Sequence, residues 1–99
     1  MKIQKIGIAG TMESSDIMVT LMEKGEKGIN ILLDSPVEEQ YGRRIKDVIR
    51  ETLTNLGLEN VTVTAVDKGA LDCVIRARVE TAAYRACGNE DYVWGGKKE

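Results

Sequence analysis

Ninety-nine residues and 10.9 kDa make room for one domain, with a compact radius of gyration of about 13 Å. Apolar residues at 42% and charged residues at 30% are ordinary for a folded globular chain and argue against disorder. Fourteen basic against sixteen acidic side chains give a net charge of −2 with no basic stripe, so nucleic acid is not an expected partner, and the absence of histidine excludes a Ser–His–Asp triad, an imidazole base or a His-ligated metal within this chain.

Residues 1–15 read as a lead-in. Ile6 and Ile8 alternate there, enough for a short edge strand, before Gly10 and a polar stretch from Thr11 to Asp16. The period-two signal of a half-buried strand then sharpens, with Ile17, Val19 and Leu21 alternating with Met18, Thr20 and Met22. Glu23–Lys27 interrupts it, and Ile29, Ile31 and Leu33 repeat the alternation. Two such runs joined by a short Gly-bearing loop predict a β-hairpin.

Ser35-Pro36-Val37-Glu38 has the composition of a helix start: Ser35 as N-cap, Pro36 in the first helical position, and Glu38 reaching back to complete a capping box. Val37, Tyr41, Ile45, Val48, Ile49, Leu53 and Leu56 form one apolar stripe at spacings of three and four, and Gly57 supplies the stop. Val61, Val63 and Ala65 mark a further strand, and Asp67-Lys68-Gly69 turns the chain. Leu71, Ile75, Val79, Ala82 and Ala86 share a helical face, with an alanine-rich continuation that favours helix over strand, and Gly88 ends it.

The expected fold is therefore α+β, a two-layer sandwich in the order β-β-α-β-α: a small sheet of a hairpin plus a third strand, with two helices on one face. Whether the third strand lies beside the first or the second hairpin strand stays open. One domain spans residues 1–99, and residues 89–99 form a polar tail whose one anchor candidate is Trp94. No apolar run approaches the ~20 residues of a membrane span, and residues 1–10 lack a signal-peptide pattern, so a cytoplasmic protein is expected. Cys73 and Cys87, on one helix, would stand about 21 Å apart along its axis, far beyond disulfide reach. Both read as reduced thiols, Cys73 packed and Cys87 near the helix end.

Most polar residues have plain structural readings. Glu38 and Glu39 suit a helix N-terminus, Asp67 and Asp72 flank Gly69 as turn and helix-start residues, and Arg76 and Arg78 suit a solvated helix face. Gly7-Ile8-Ala9-Gly10 lacks the Lys-Ser/Thr ending of a P-loop. No catalytic constellation and no metal site emerges. In the segment Thr11–Asp16, Ser14 and Ser15 are accessible hydroxyls with no base to make either a nucleophile by itself.

Two blocks carry a resemblance over nearly the whole length: Ala9-Gly10-Thr11-Met12-Glu13-Ser14-Ser15-Asp16, and Asp67-Lys68-Gly69-Ala70-Leu71-Asp72-Cys73 running into Arg76-Ala77-Arg78, with Val37–Tyr41 between them. The chain resembles the gamma subunits of citrate lyase, which are acyl carrier proteins. The resemblance implies a carrier rather than a catalyst. It implies covalent attachment of 2'-(5''-triphosphoribosyl)-3'-dephospho-CoA, through a phosphodiester, to a serine that falls on Ser14, with Ser15 next door as the fallback. It also implies partners: the alpha subunit, an acyl transferase; the beta subunit, a citryl lyase; and a prosthetic-group transferase. Asp67, Lys68, Gly69 and Asp72 are candidate docking residues for these, because a polar turn coincides with the strongest block. The nearest alternative is the acyl carrier subunit of malonate decarboxylase, whose prosthetic group is related. A small interaction or ligand-binding domain is the alternative from another class.

Overall fold

Four strands and two helices follow one another as β1 (Gly7–Ala9), β2 (Ile17–Glu23), β3 (Gly28–Asp34), α1 (Glu38–Asn55), β4 (Asn60–Asp67) and α2 (Asp72–Ala86) in a computed structural model that describes residues 2–88. The tail 89–99, with Trp94, lies outside the described residues. The sheet order is β1-β2-β4-β3, with β1 and β4 both antiparallel to β2 and with β3 parallel to β4.

The α+β two-layer reading holds, with two corrections. The lead-in contributes a fourth strand at one edge. The two runs expected to form a hairpin do not pair, because β4 lies between them. The reason is burial. Val61, Val63 and Ala65 of β4 are fully buried, whereas β3 alternates between half-buried and exposed. The strand buried on one whole face takes a central place, and the half-exposed one takes an edge, where its free hydrogen-bonding groups face solvent. Residues 24–27 are enough chain to cross one intervening strand, roughly 10 Å at the usual strand spacing.

One sheet face carries Ile17, Val19, Leu21, Val61, Val63 and Ala65, all at 0% exposure. The helices close over it with Ile45, Val48, Ile49 and Leu53 from α1 and Ile75, Val79, Ala82 and Ala83 from α2, all buried. Burying each of the Ile, Leu and Val side chains among these stabilises the fold by about 1.5–3 kcal/mol. Tyr41 and Leu71 depart from the expected stripes: they are 56% and 70% exposed. Each lies at the N-terminal end of its helix, before the first buried residues, Gly42 in α1 and Ile75 in α2. Cys73, expected to be packed, is exposed for the same reason, while Cys87 is buried at the C-cap of α2.

The capping box does not form either. Helix α1 starts at Glu38 with Val37 as its N-cap and no side-chain cap. The Ser35 hydroxyl instead donates to Asp67 Oδ2 at 2.8 Å and accepts from the Val37 N–H at 3.2 Å. Asp67 is only 1% exposed. A buried carboxylate without partners costs several kcal/mol, whereas a lost cap costs about 1 kcal/mol, so the tertiary bond wins.

Candidate functional site

The polar segment ahead of β2 is a constructed loop. Asp16 organises it: Oδ1 accepts from Arg78 Nε at 3.0 Å and from its neighbour Ile17 N–H at 2.7 Å. Oδ2 accepts from the second guanidinium arm at 2.8 Å and from the Thr11 hydroxyl at 2.7 Å. Thr11 Oγ1 accepts in turn from the Glu13 N–H at 3.2 Å. Four hydrogen bonds, led by the bidentate guanidinium contact, hold the Asp16 carboxyl well below the usual carboxylate range.

Within this frame the Asp16 N–H donates to the Glu13 carbonyl at 3.2 Å, which closes a four-residue turn. Ser15 has φ 67° and is the one non-glycine residue with positive φ among those described. Negative φ at the first central position and positive φ at the second is the type II pattern, with Ser14 at the corner. Ser14 and Ser15 are both exposed. The Ser14 hydroxyl takes no part in the bonds that hold the loop.

The second block lies against the first. Ser15 N–H donates to the Lys68 carbonyl at 2.7 Å, and Lys68 N–H donates to the Asp16 carbonyl at 2.8 Å. Residues 15 and 16 thus oppose the single residue 68, a β-bulge just past the last β2–β4 pair, Ile17↔Asp67. Asp67 itself is buried, accepting from Ser35 and, through Oδ1, from the Ala70 N–H at 2.9 Å. It holds the turn together and offers no surface to a partner. Lys68 and Gly69 are exposed. Asp72 is partly exposed in the first turn of α2 and pairs with Arg44 of α1 at 2.6 Å, an ion pair open to water on both sides. Because β3 and β4 run parallel, the N-termini of both helices share this end of the sheet with Ser14.

Four of the sequence-derived candidates, Ser14, Ser15, Lys68 and Gly69, thus stand together on the surface, with Asp72 one turn away and Asp67 beneath. Sequence reasoning missed the support: Thr11, Asp16 and Arg78, the last read as a solvated helix residue. The available signal was Asp16 closing the polar segment directly before a fully apolar strand position, where a lone carboxylate needs a partner. A shallow cleft of about 340 Å³ lined by residues such as Lys2, Glu23, Lys24 and Glu59 lies at the opposite end of the sheet and contains none of these residues. No group of three or more potential metal ligands, and no helix long and apolar enough to cross a membrane, occurs among the described residues.

Ser14 and Ser15 thus present exposed hydroxyls on a turn whose backbone is hydrogen-bonded to the end of β4. The family model for the malonate decarboxylase delta subunit (MdcD) matches residues 4–86. Citrate lyase acyl carrier protein from Streptococcus equi subsp. zooepidemicus strain H70 is 51% identical over 94 residues, covering 95% of this chain and 92% of that one. The proteins of the same name from Latilactobacillus sakei and Streptococcus mutans are 52% and 51% identical over the same coverage. Among solved structures, homoserine kinase from Cytophaga hutchinsonii shares the fold at TM-score 0.56 and 15% identity, over 89% of this chain but only 36% of the kinase. With half of its residues shared along nearly its whole length, the chain belongs to the citrate lyase acyl carrier proteins, within the carrier family that also takes in the malonate decarboxylase delta subunit.

Proposed function

We propose that this protein is the acyl carrier subunit of a cytoplasmic citrate lyase and carries its prosthetic group on Ser14. The observation that carries the reading is the turn itself: an exposed serine at the corner of a four-residue turn, whose base is fixed by Asp16, Arg78 and the Lys68 backbone. The group is delivered by 2'-(5''-triphosphoribosyl)-3'-dephospho-CoA, and its terminal thiol would supply the acyl chemistry. Ser14 supplies only the anchor. Its Oγ bonds to the α-phosphorus of the donor's triphosphate as pyrophosphate leaves, so the phosphoribosyl-dephospho-CoA stays on the serine as a phosphodiester, and the hydroxyl proton passes to a base of the transferase, this chain having no histidine. The chain contributes no catalytic group of its own to citrate cleavage. Its alpha-subunit and beta-subunit partners do the acyl exchange and the carbon–carbon cleavage. Lys68, Gly69 and Asp72, beside the anchor, would meet these partners or the loading transferase.

Intact-mass measurement and peptide mapping of protein made together with the loading enzymes test the assignment. The added mass is expected on the peptide containing Ser14 and is lost in Ser14→Ala. Modification on Ser15, or full loading of Ser14→Ala, refutes it. The family model also favours a second reading, carriage of malonyl groups in a malonate decarboxylase. Assaying the assembled complex with citrate and with malonate separates the two.

A further inference from the structure

Two adjacent serines are exposed on this turn, and nothing in their side-chain chemistry distinguishes one from the other. We propose that the Arg78–Asp16 pair is a positioning device that selects Ser14 over Ser15 for loading, acting through the backbone of the turn; the proposal rests on the reading of this segment as the attachment site.

The argument starts at Ser15. Its φ of 67° lies in the left-handed region, which a residue with a Cβ adopts only against steric cost. Something must hold it there. The Ser15 N–H is bound to the Lys68 carbonyl and the Asp16 carbonyl to the Lys68 N–H, so residues 15 and 16 are stitched to the end of β4 on both sides. That stitching requires Asp16 to stay in register. Asp16 is fixed by the two-armed contact from Arg78, which spans 62 residues, and by the bonds from Thr11 and its neighbour Ile17. Arg78 projects from α2, the same helix that follows the Lys68 turn, so loop and turn are referred to one rigid element.

The consequence is selective. Ser15 sits in the half of the turn bound to β4, its backbone held at a conformation it would not choose. Ser14 sits at the corner, with no hydrogen bond of its own to break before it enters another active site. Remove the two-armed contact and Ser15 can relax to an ordinary negative φ, which dissolves the type II geometry. The two hydroxyls then become comparable targets. Arginine is needed because the planar fork grips both carboxylate oxygens, whereas a lysine reaches one point only.

The test uses the full chain, wild type and as Arg78→Met, Arg78→Lys and Asp16→Asn, loaded by the purified transferase with the dephospho-CoA triphosphate donor. Three quantities are read: the Ser14-to-Ser15 occupancy ratio by peptide mapping, amide hydrogen exchange of the unloaded protein at Ser15 and Lys68, and Tm. Arg78→Met and Asp16→Asn are expected to lower the occupancy ratio and to speed exchange at those two amides by about tenfold or more, the scale of one charge-assisted hydrogen bond. Exchange at Val19 and Val63 in the sheet should stay unchanged. Arg78→Lys should recover part of both effects. A merely structural role would lower Tm and leave the ratio at its wild-type value, and that result overturns the proposal. So does wild-type protection of the Ser15 and Lys68 amides in Arg78→Met. If Arg78→Met fails to fold, Arg78→Lys and Asp16→Asn decide by the same readouts. Loading of the wild type on Ser15 sinks the assignment of Ser14 itself, and the exchange data then still show whether the pair fixes the turn.

Discussion

Gly10 opens the loop that carries Ser14, and its replacement by alanine tests whether that loop is rigid at its base. Its φ is +97°, and an added Cβ would overlap the Ile17 carbonyl oxygen and stand 2.9 Å from the Ile17 carbonyl carbon and 3.1 Å from Met18 Cα. All three are backbone atoms of β2, and no side chain can rotate to relieve the clash. The left-handed φ alone costs about 1–2 kcal/mol for alanine. Moving the loop away also breaks bonds such as Thr11 to Asp16, each worth about 1–1.5 kcal/mol net. Together these reach about 3 kcal/mol, or a Tm lower by roughly 12–24 °C for a domain of this size. Gly69→Ala is the control, because Gly69 has φ +91° with no atom within 4 Å of the would-be Cβ. It should lose only about 1 kcal/mol, roughly 4–8 °C. Thermal unfolding of both variants by circular dichroism makes the comparison. Equal losses in the two would refute the claim that close approach to β2, over and above the sign of φ, fixes the start of the loop.

The remaining predictions address packing, charge and thiols. Gly42 lies inside α1, and an added Cβ meets chiefly the flexible Glu38 side chain at 2.8 Å, so Gly42→Ala should gain about 0.5–1 kcal/mol from helix propensity in urea unfolding. Asp16 has its carboxyl depressed below its ordinary 3.8, by Arg78 first and Thr11 second. A depressed carboxyl stabilises the fold above its unfolded value, and this contribution is lost as pH falls through the folded value. Stability should therefore drop from about pH 4 downward by about 1 kcal/mol, a figure discounted because Arg78 is 39% exposed. Asp16→Asn should flatten that part of the curve. Cys73 is exposed and Cys87 is buried, where desolvation pushes its thiol up, so a maleimide should label one cysteine in native protein and both in denaturant, with the native label on Cys73.

The extent to which this molecule is readable from sequence depends on the range of the forces involved. Helix α1 from Ile45 to its end at Asn55, the buried face of α2 and the alternation of β2 and β4 follow from local period, because side chains three or four apart on a helix, or two apart on a strand, must share a face. Strand partnership does not follow, since β4 pairs with β2 through contacts some fifty residues distant, and only the relative burial of β3 and β4 settles which is central. Ser35 shows the same limit at one residue. Its local context specifies a cap, and a buried carboxylate 32 residues away claims the hydroxyl instead. Arg78 reads locally as a solvated helix residue, and its role exists only once Asp16 is placed beside it. Alignment to the motif singles out Ser14 over Ser15, whereas the positive φ that sets Ser15 apart from its neighbour is a backbone angle that no motif encodes.

The unexpected strand order and the candidate site are one fact. Ile17 pairs with Asp67 because β4 runs directly alongside β2, and that pairing puts the polar segment before β2 against the turn after β4. Had β2 and β3 formed a hairpin with β4 beyond β3, residues 16 and 67 would be separated by two strand spacings, roughly 10 Å. Neither hydrogen bond to Lys68 could then form, and the two sequence blocks would meet nothing of one another. The parallel pairing of β3 with β4 brings the turn after β4 level with the end of β3, so Ser35 reaches Asp67 and the starts of α1 and α2 gather around the same corner. A carrier whose cargo arm must reach several partner active sites gains effective concentration from a fixed point of attachment, since the arm's reach is then set by its own length and not by a wandering base. With attachment at Ser14 as proposed, this topology would provide such a point through backbone pairing and the Arg78–Asp16 ion pair.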